Sequence, residues 1–268
     1  MACAGMMFFW QWMMLKLLRG SAAFLAALLA WAAASASGLV SGFLLPSPMV
    51  VFDALVELVR DGSLVRHTAI SVQRVLLGYA LAVLIALPLA LTFSLLPRLK
   101  AILEPLLEFL RQIPPLALVP LLILWLGIGE AQKVGIILLA CFFPIFLAAL
   151  GGISQADPKL IEVGHSCHMP PLEILLRIIL PASLPAVVIG LRIGLGYSWR
   201  ALVGAELIAS SAGLGYLIVD AENLARTDIV LAGVVVIGVL GLIADMLAKA
   251  AIKRLAPWIN ANAELSFV

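Results

Sequence analysis

A short polar stretch near the middle of the chain gathers residue types that bind metal ions or move protons. Glu162, His165, Cys167 and His168 all lie within it. The two histidines are three positions apart, a spacing at which side chains on one helical turn can share a zinc ion. The full pattern, however, matches no motif of paired Cys and His ligands. We therefore predict no metal site, and stoichiometric zinc in the purified protein would contradict that prediction.

A second group of ionisable residues interrupts an apolar stretch, Leu184 to Ile208. It consists of Arg192, Arg200 and Glu206, with Trp199 beside the second arginine. A charge at the depth of a bilayer costs about 2.5–3.5 kcal/mol even on the mild scales, so such residues normally face a cavity or a partner. An arginine in that position attracts anions, because its guanidinium carries a permanent charge and a fixed fork of donors.

No catalytic pattern accompanies these charges. Ser198 lacks the second glycine of a nucleophile elbow. The chain has no Gly-x-x-x-x-Gly-Lys-Ser/Thr stretch, so it cannot bind ATP in the manner of a phosphate-binding loop. A membrane enzyme would need paired carboxylates or a His/Ser constellation in the apolar stretches, where acids are sparse. We therefore predict no catalytic residue.

The composition assigns these side chains to a membrane protein. Of 268 residues, 64% are hydrophobic and 12% are charged, and the mean hydropathy is +1.16. A soluble domain is about half apolar and about a quarter charged, so this chain has too little polar surface to cover a water-facing globule. The net charge of +2 comes from scattered basic residues and gives no case for nucleic-acid binding. The three cysteines suggest no disulfide framework.

Six apolar stretches are candidates for membrane spans, since a helix needs about 20 mostly apolar residues to cross the hydrocarbon core. The third is interrupted by prolines and could begin earlier, between Ala101 and Leu110. The predicted fold class is thus all-α, with six transmembrane helices. The predicted spans are Ser21–Leu39, Leu76–Leu96, Ile113–Leu126, Val134–Ile153, Leu184–Ile208 and Ile229–Ala248.

Basic residues in the connecting loops favour an orientation with both termini in the cytoplasm. The predicted inner loops hold about nine Lys and Arg residues and the outer loops about five, one of which, Arg74, could equally lie in the second span. We predict an N-terminal cytoplasmic or interfacial segment (1–20), a transmembrane domain (21–254) and a cytoplasmic tail (255–268). A cleaved signal ending at Ala34-Ser35-Ala36 is the alternative for the N-terminus, disfavoured because the apolar run continues past that site.

The longest inner connection, about residues 154–177, is predicted to form two short helices along the inner surface. Asp157-Pro158 is an N-cap followed by proline at the first helical position, which predicts a helix from Lys159 to about His168. Pro170-Pro171 would end that helix and start a second one, Leu172 to Leu180. Such an element can carry contacts to a cytoplasmic partner or simply cap the bundle.

Two segments on the predicted outer side are each expected to contain a short helix. Val50 to Arg60 follows Leu45-Pro46-Ser47-Pro48 and has the pattern of a short amphipathic helix. Gly213-Leu214-Gly215-Tyr216 predicts a tight turn before another short helix.

The inner connection resembles the Glu-Ala-Ala loop of the permease subunits of ABC importers. Leu160 to His168 is followed, as in that family, by a Leu-Pro, here Leu180-Pro181. The departures are Val163 and Gly164 at the two alanine positions and His168 at the glycine position. Similar stretches from about Leu39 to Trp258 resemble the branch of taurine, alkanesulfonate, nitrate, cyanate and bicarbonate permeases, among them Leu45-Pro46-Ser47-Pro48, Ile113-Pro114-Pro115-Leu116-Ala117, Leu124-Trp125-Leu126-Gly127-Ile128-Gly129-Glu130, Gly190-Leu191-Arg192 and Gly213-Leu214-Gly215-Tyr216.

The resemblance implies the fold of a type I ABC importer permease in the bacterial cytoplasmic membrane. It implies a homodimer, two cytoplasmic ATPase subunits that bind ATP and magnesium, and a periplasmic or lipid-anchored substrate-binding protein. This chain would itself hold no cofactor. The residues implied in coupling to the ATPase are Glu162, Val163, Gly164, His165, Ser166, Cys167 and His168.

The resemblance also suggests roles for the charges of the fifth predicted span. Arg192 falls in the family's Gly-Leu-Arg, which favours a structural pair, whereas Arg200 stands where a small polar residue is commoner. We predict Arg192, Trp199, Arg200 and Glu206 as residues of the translocation pathway, with Arg200 attracting an anion. The alternative for Arg200 is extension to the outer interface or a pair with Glu206.

The implied cargo is a small anion, with an aliphatic sulfonate such as taurine as the first expectation. Nitrate, bicarbonate, cyanate or a vitamin precursor are the alternatives within the same importer class. A secondary transporter would show an inverted internal repeat, and none is evident in the sequence. A membrane-embedded enzyme is the remaining alternative.

Overall fold

The computed structural model describes residues 22–255, which form helices and connections without a strand in that range. This confirms the predicted all-α class. The helices are α1 (Ala22–Ala36), α2 (Pro48–Arg60), α3 (Ser63–Leu95), α4 (Pro97–Leu110), α5 (Val119–Leu126), α6 (Glu130–Ser154), α7 (Pro158–Ser166), α8 (Pro171–Ile174), α9 (Leu180–Ala209), α10 (Leu214–Asn223) and α11 (Thr227–Leu255).

Four helices of the described chain are long and apolar enough to cross a membrane: α3, α6, the continuous helix Pro171–Ala209 and α11. They confirm the second, fourth, fifth and sixth predicted spans. The described α1 is an apolar helix shorter than the roughly 20 residues of a span. The six-span count, the orientation and the division at residues 20 and 254 stay predictions, and residues 1–21 and 256–268 lie outside the described part of the chain.

The third predicted span is two helices instead of one. α4 and α5 are bent by 86° about the segment that joins them, and together they could form one further span. The joint contains Pro114-Pro115, and a short 3₁₀ turn, Pro115–Leu118, follows it. Prolines lack the N–H that would continue a helical ladder and disfavour helical geometry in the residue before them. The chain therefore turns where the apolar pattern alone predicts a continuous run.

The predicted second inner helix and the fifth span are one helix, which corrects their separation at Leu180. α8 passes through a π-helical turn, Leu175–Ile179, directly into α9. The Leu180 N–H donates to the carbonyl of Leu175, five residues back. The π turn lies just before Pro181, which has no backbone N–H to donate. The helix therefore continues through Pro181, although the sequence pattern predicts a helix boundary there.

The described chain divides into two compact units. One comprises the part up to Leu64 with Asp220–Ala232, and the other comprises Val65–Val219 with the part from Gly233 onward. In the first unit, α2 has Ser47 as its N-cap and starts two residues before the predicted Val50. Arg226 pairs there with Asp228 at 2.9 Å and with Glu57 at 3.0 Å. These hydrogen bonds, chiefly the one to Asp228, raise the pKa of Arg226.

The second unit is built around the pair α6 and α9. Three glycines lie at their contact, and a Cβ on any of them would meet the facing helix: Gly152 at Ala186, Gly190 at Ala148 and Gly194 at Ile145. Small residues of this kind let two helices approach closely in a membrane, where packing replaces the hydrophobic effect as the main attraction. α9 is thereby fixed against α6 along most of its length.

Candidate functional site

The hairpin of α7 and α8, called the inner hairpin after its predicted cytoplasmic side, carries the residues implied in coupling. The N-cap of α7 is Asp157, whose carboxylate accepts the Lys159 N–H at 2.9 Å. It ends at Ser166, two residues before the predicted end. The His168 N–H donates to the His165 carbonyl at 2.9 Å, and the Met169 N–H donates to the Gly164 carbonyl at 3.0 Å. These two bonds form a Schellman motif, which closes the C-terminus of a helix.

His168 has the left-handed backbone conformation that glycine favours, with φ of 57°. It occupies the position where the resembling family has glycine. The turn is made at His168 itself, and Pro170, which is extended, leads into α8. His168 differs from the glycine of the family, but it adopts the left-handed backbone conformation that glycine favours at this position.

Replacing His168 with glycine is expected to stabilise the protein by about 1 kcal/mol, because a side chain in the left-handed conformation costs about that much. The matched control is His165→Gly, at a regular helical position, which should instead destabilise by about 0.5–1 kcal/mol. Thermal unfolding of the purified protein in detergent measures both. Equal losses for the two variants would mean that the strain at His168 is not relieved by glycine.

The seven residues implied in coupling differ in exposure. Six of the seven are exposed, and Gly164 is buried. A Cβ on Gly164 would lie 3.1 Å from side-chain atoms of Ile174 and Ile178, so this position sets the close packing of α7 on the helix that follows. Apolar side chains also remain exposed on both arms of the hairpin and on the turn that follows, at Leu160, Val163, Leu172 and Leu176.

No group of three or more His, Cys, Asp or Glu side chains between residues 22 and 255 is arranged to hold a metal ion. That part of the chain includes Glu162, His165, Cys167 and His168. The absence of a metal site stays a prediction.

An ion-pair network, buried at Arg74 and Glu206 and exposed at Glu130, joins three long helices. Arg74 of α3 donates to Glu130 at the start of α6, at 2.6 Å from Nε and 2.5 Å from Nη2. Its Nη1 donates to Glu206 of α9 at 2.7 Å and to the Ala212 carbonyl at 2.6 Å. The Glu206 side chain has no exposure and that of Arg74 has 3%. The network thus neutralises two charges that would be costly to bury alone.

The segment after α9 folds over the Glu206 carboxylate. The Gly215 N–H donates to Oε2 at 2.8 Å, and the Ser71 hydroxyl donates to Oε1 at 2.8 Å. Ser71 in turn accepts the Leu214 N–H at 2.9 Å. Gly213 has a φ of 115°, and a Cβ there would overlap the carboxylate. The predicted tight turn before α10 is therefore confirmed, and it closes around a buried acid.

A cavity of about 570 Å³ lies between α9 and α11. Arg192 donates from Nε to Asp245 at 2.6 Å, which agrees with the structural pair considered for it. Asp245 also pairs with Lys249 at 2.8 Å. The cavity is lined by Ile189, Arg192, Ile193, Leu195, Gly196, Tyr197, Trp199, Arg200, Gly241, Ala244 and Asp245.

The four predicted pathway residues are not brought together. Arg192, Trp199 and Arg200 line the cavity, whereas Glu206 lies in the buried network with Arg74. The sequence did not predict that network, because it left Arg74 open between an outer loop and the second span, while the structure places it inside α3. An arginine beside a long apolar run was the available signal, and its partners are 56 and 132 positions away.

Comparison with known proteins decides the family. Residues 75–257 match the family described as the inner membrane component of binding-protein-dependent transport systems. The chain belongs to this family. It is therefore a multi-pass inner membrane permease, as predicted, and such a permease works with an ATPase subunit and a substrate-binding protein.

Two kinds of relative carry more specific names. The taurine transport system permease protein TauC of Escherichia coli is 36% identical over 93% of both chains. The putative aliphatic sulfonates transport permease protein SsuC of Bacillus subtilis is 36% identical over 86% of this chain and 83% of its own length. A putative ABC transporter permease of Methanocaldococcus jannaschii is 38% identical over 75% of this chain and 78% of its own.

Solved structures support the predicted fold. An inward-facing structure of the MetNI methionine ABC transporter matches with a TM-score of 0.58, covering 71% of this chain and 97% of that chain at 16% identity. A second crystal form of the same transporter gives a TM-score of 0.54. The likeness confirms the type I ABC importer permease fold.

Proposed function

We propose that this chain is the membrane subunit of an ATP-driven importer for a small aliphatic sulfonate such as taurine. The observation that carries this proposal is the 36% identity to the taurine permease over 93% of each chain. Names of further relatives, permeases for aliphatic sulfonates, point in the same direction. No described feature favours nitrate, bicarbonate, cyanate or a vitamin precursor instead.

In this proposal the chain binds no ATP, and the partner ATPases hold ATP and magnesium. A homodimer of the permease would place the pathway on its two-fold axis, the commonest symmetry of homo-oligomers. The inner hairpin would bind the ATPases, since it combines exposed apolar side chains with a rigid connection to α9. Arg192, Trp199 and Arg200 would belong to the pathway. Glu206 would lie outside the pathway and position α9, because its carboxylate is enclosed and cannot contact the cargo.

The substrate is best tested through ATP hydrolysis by the assembled complex. The permease, its ATPase and its binding protein would be reconstituted in liposomes and supplied with taurine, butanesulfonate, nitrate or bicarbonate. We expect the two sulfonates to stimulate ATP hydrolysis and the inorganic anions to leave it at the basal rate. Stimulation by nitrate or bicarbonate alone would overturn the sulfonate proposal and keep the importer class.

Val163→Asp is expected to weaken binding of the ATPase at least about tenfold. Val163 is 58% exposed on α7. Burying its side chain in an interface would add about 1.5–3 kcal/mol to the binding free energy, and a carboxylate at this position would lose that contribution. The matched control is Val59→Asp on α2, where the valine is 56% exposed. Co-purification of the ATPase with tagged permease measures the effect. Full recovery of ATPase with Val163→Asp would exclude this face of the hairpin from docking.

A further inference from the structure

The charges that face the α9–α11 cavity are unequally compensated. Arg192 is 8% exposed at its side chain and shares Asp245 with Lys249, so its charge has a fixed partner. Arg200 is exposed, and within residues 22–255 its guanidinium forms no ion pair. That guanidinium lies over the ring of Tyr197, 5.3 Å from the ring centroid. The cavity therefore presents one uncompensated cation to an occupant.

The rest of the cavity wall is mostly apolar and is held rigidly. Trp199 donates from Nε1 to the Ile237 carbonyl at 3.1 Å. A Cβ on Gly241 would lie 3.2 Å from the same indole, so the absence of a side chain at Gly241 leaves room for the ring between α9 and α11. Ile189 and Ile193 add aliphatic surface on the α9 side. Along α9, Arg200 lies two turns beyond Arg192, a rise of about 12 Å.

This arrangement matches the chemistry of a small amphipathic anion. A guanidinium offers paired donors to the oxygens of an oxyanion, and a short alkyl chain is best received by an apolar wall. A sulfonate with a short aliphatic chain has both parts. Nitrate and bicarbonate have an anionic group but no chain to fill the apolar portion.

We propose that the α9–α11 cavity is a binding site for the sulfonate within the permease itself, with Arg200 receiving the head group. The inference rests on the proposed function and goes beyond it, because it gives the permease a selectivity of its own in addition to that of the binding protein. Tyr197 packs against the guanidinium of Arg200, and Arg192 serves as a positioning residue through Asp245.

Direct binding tests the site. The complex of permease and ATPase, without binding protein, would be placed in nanodiscs of neutral lipid, and equilibrium dialysis would measure bound radiolabelled butanesulfonate. We expect Arg200→Gln to weaken binding at least tenfold and Arg200→Lys to restore part of it, because lysine keeps the charge but loses the paired donors. The matched control is Arg98→Gln, an exposed arginine on α4 outside the cavity, which should bind like the wild type.

Three outcomes would overturn the inference, and one of them bears on the proposed function as well. Equal binding by Arg200→Gln and the wild type would show that the cavity is not the site, while sulfonate-stimulated ATP hydrolysis by the full complex would leave the proposed function intact. If the wild type binds no sulfonate but retains anionic lipid, and Arg200→Gln does not retain that lipid, the site binds a lipid phosphate instead. If sulfonate neither binds nor stimulates ATP hydrolysis, both proposals fail.

Discussion

Glu206→Ala is expected to lower the free energy of unfolding by about 3–5 kcal/mol, the usual cost of removing one partner from a buried ion pair. The substitution leaves Arg74 with one carboxylate instead of two, although its guanidinium stays buried in the bundle. It also removes the acceptor of the Gly215 N–H and of the Ser71 hydroxyl. Since proteins are stable by only about 5–15 kcal/mol, little folded protein should be recovered at physiological temperature.

The matched control for this prediction is Glu108→Ala. Glu108 pairs with Arg111 at 2.7 Å, but both side chains are more than a third exposed, so the pair should contribute no more than about 1 kcal/mol. Glu206→Gln provides a second variant, which keeps the shape and loses the charge. Unfolding of the purified proteins in detergent, monitored against temperature, compares all three with the wild type. Similar losses for Glu108→Ala and Glu206→Ala would show that the buried network does not stabilise the bundle.

Gly213→Ala is the second substitution with a large expected effect. The φ of 115° at this position is strained for any other residue, at about 1–3 kcal/mol. The added Cβ would also lie 2.6 Å from Oε2 of Glu206 and overlap the rest of the carboxylate. Overpacking of this kind adds about 1–3 kcal/mol. We therefore expect either a large loss of stability or displacement of the segment that closes over Glu206.

Two other glycines separate these contributions. Gly127 has a φ of 76°, and a Cβ there would have nothing within 4 Å, so Gly127→Ala should show the backbone cost alone. Gly238 lies inside α11, also with nothing within 4 Å of a Cβ, so Gly238→Ala should be neutral or slightly stabilising. The expected order of unfolding temperature is Gly238→Ala highest, then Gly127→Ala, then Gly213→Ala. A Gly213→Ala protein as stable as Gly127→Ala would mean that the carboxylate moves away at little cost.

The long helix Pro171–Ala209 connects the inner hairpin, the cavity and the buried network. Its first residues belong to the inner hairpin, its middle lines the cavity at Arg192 and Arg200, and its last turns carry Glu206. With 39 residues, it is about 58 Å long. Close contact with α6 at three glycines makes it suited to move as one body. Movement of the hairpin by the ATPase would then reach the cavity through a single continuous helix.

Much of the fold could be predicted because apolar periodicity and length have a direct physical meaning in a membrane. The predicted spans around α3, α6 and α11 each agree with the helix to within a few residues at one end, and the predicted N-cap Asp157 marks a helix that the structure contains. The effect of a proline on a helix does not follow from the sequence in the same direct way. Pro114-Pro115 breaks a helix, whereas Pro181 lies inside one, and the difference depends on packing that the sequence does not record.

The candidate site could be predicted only in part. The inner hairpin is evident from its caps and from its resemblance to a family, and the glycine-like turn at His168 lies where that resemblance puts it although the residue differs. The partners of the embedded charges could not be predicted. Arg74 and Glu206, like Arg192 and Asp245, are brought together by tertiary packing across 132 and 53 positions. Such distant pairs leave no periodic signal in one sequence.

ATP-driven uptake of radiolabelled taurine by liposomes containing this permease, its ATPase and its binding protein tests the central claim most directly. The wild-type complex is expected to accumulate taurine against a gradient only when ATP is present on the side of the ATPase. The variant Val163→Asp, which weakens binding of the ATPase to the hairpin, should lose accumulation while keeping its fold. Accumulation that proceeds without ATP, or a complex that hydrolyses ATP and moves no sulfonate, would contradict the account.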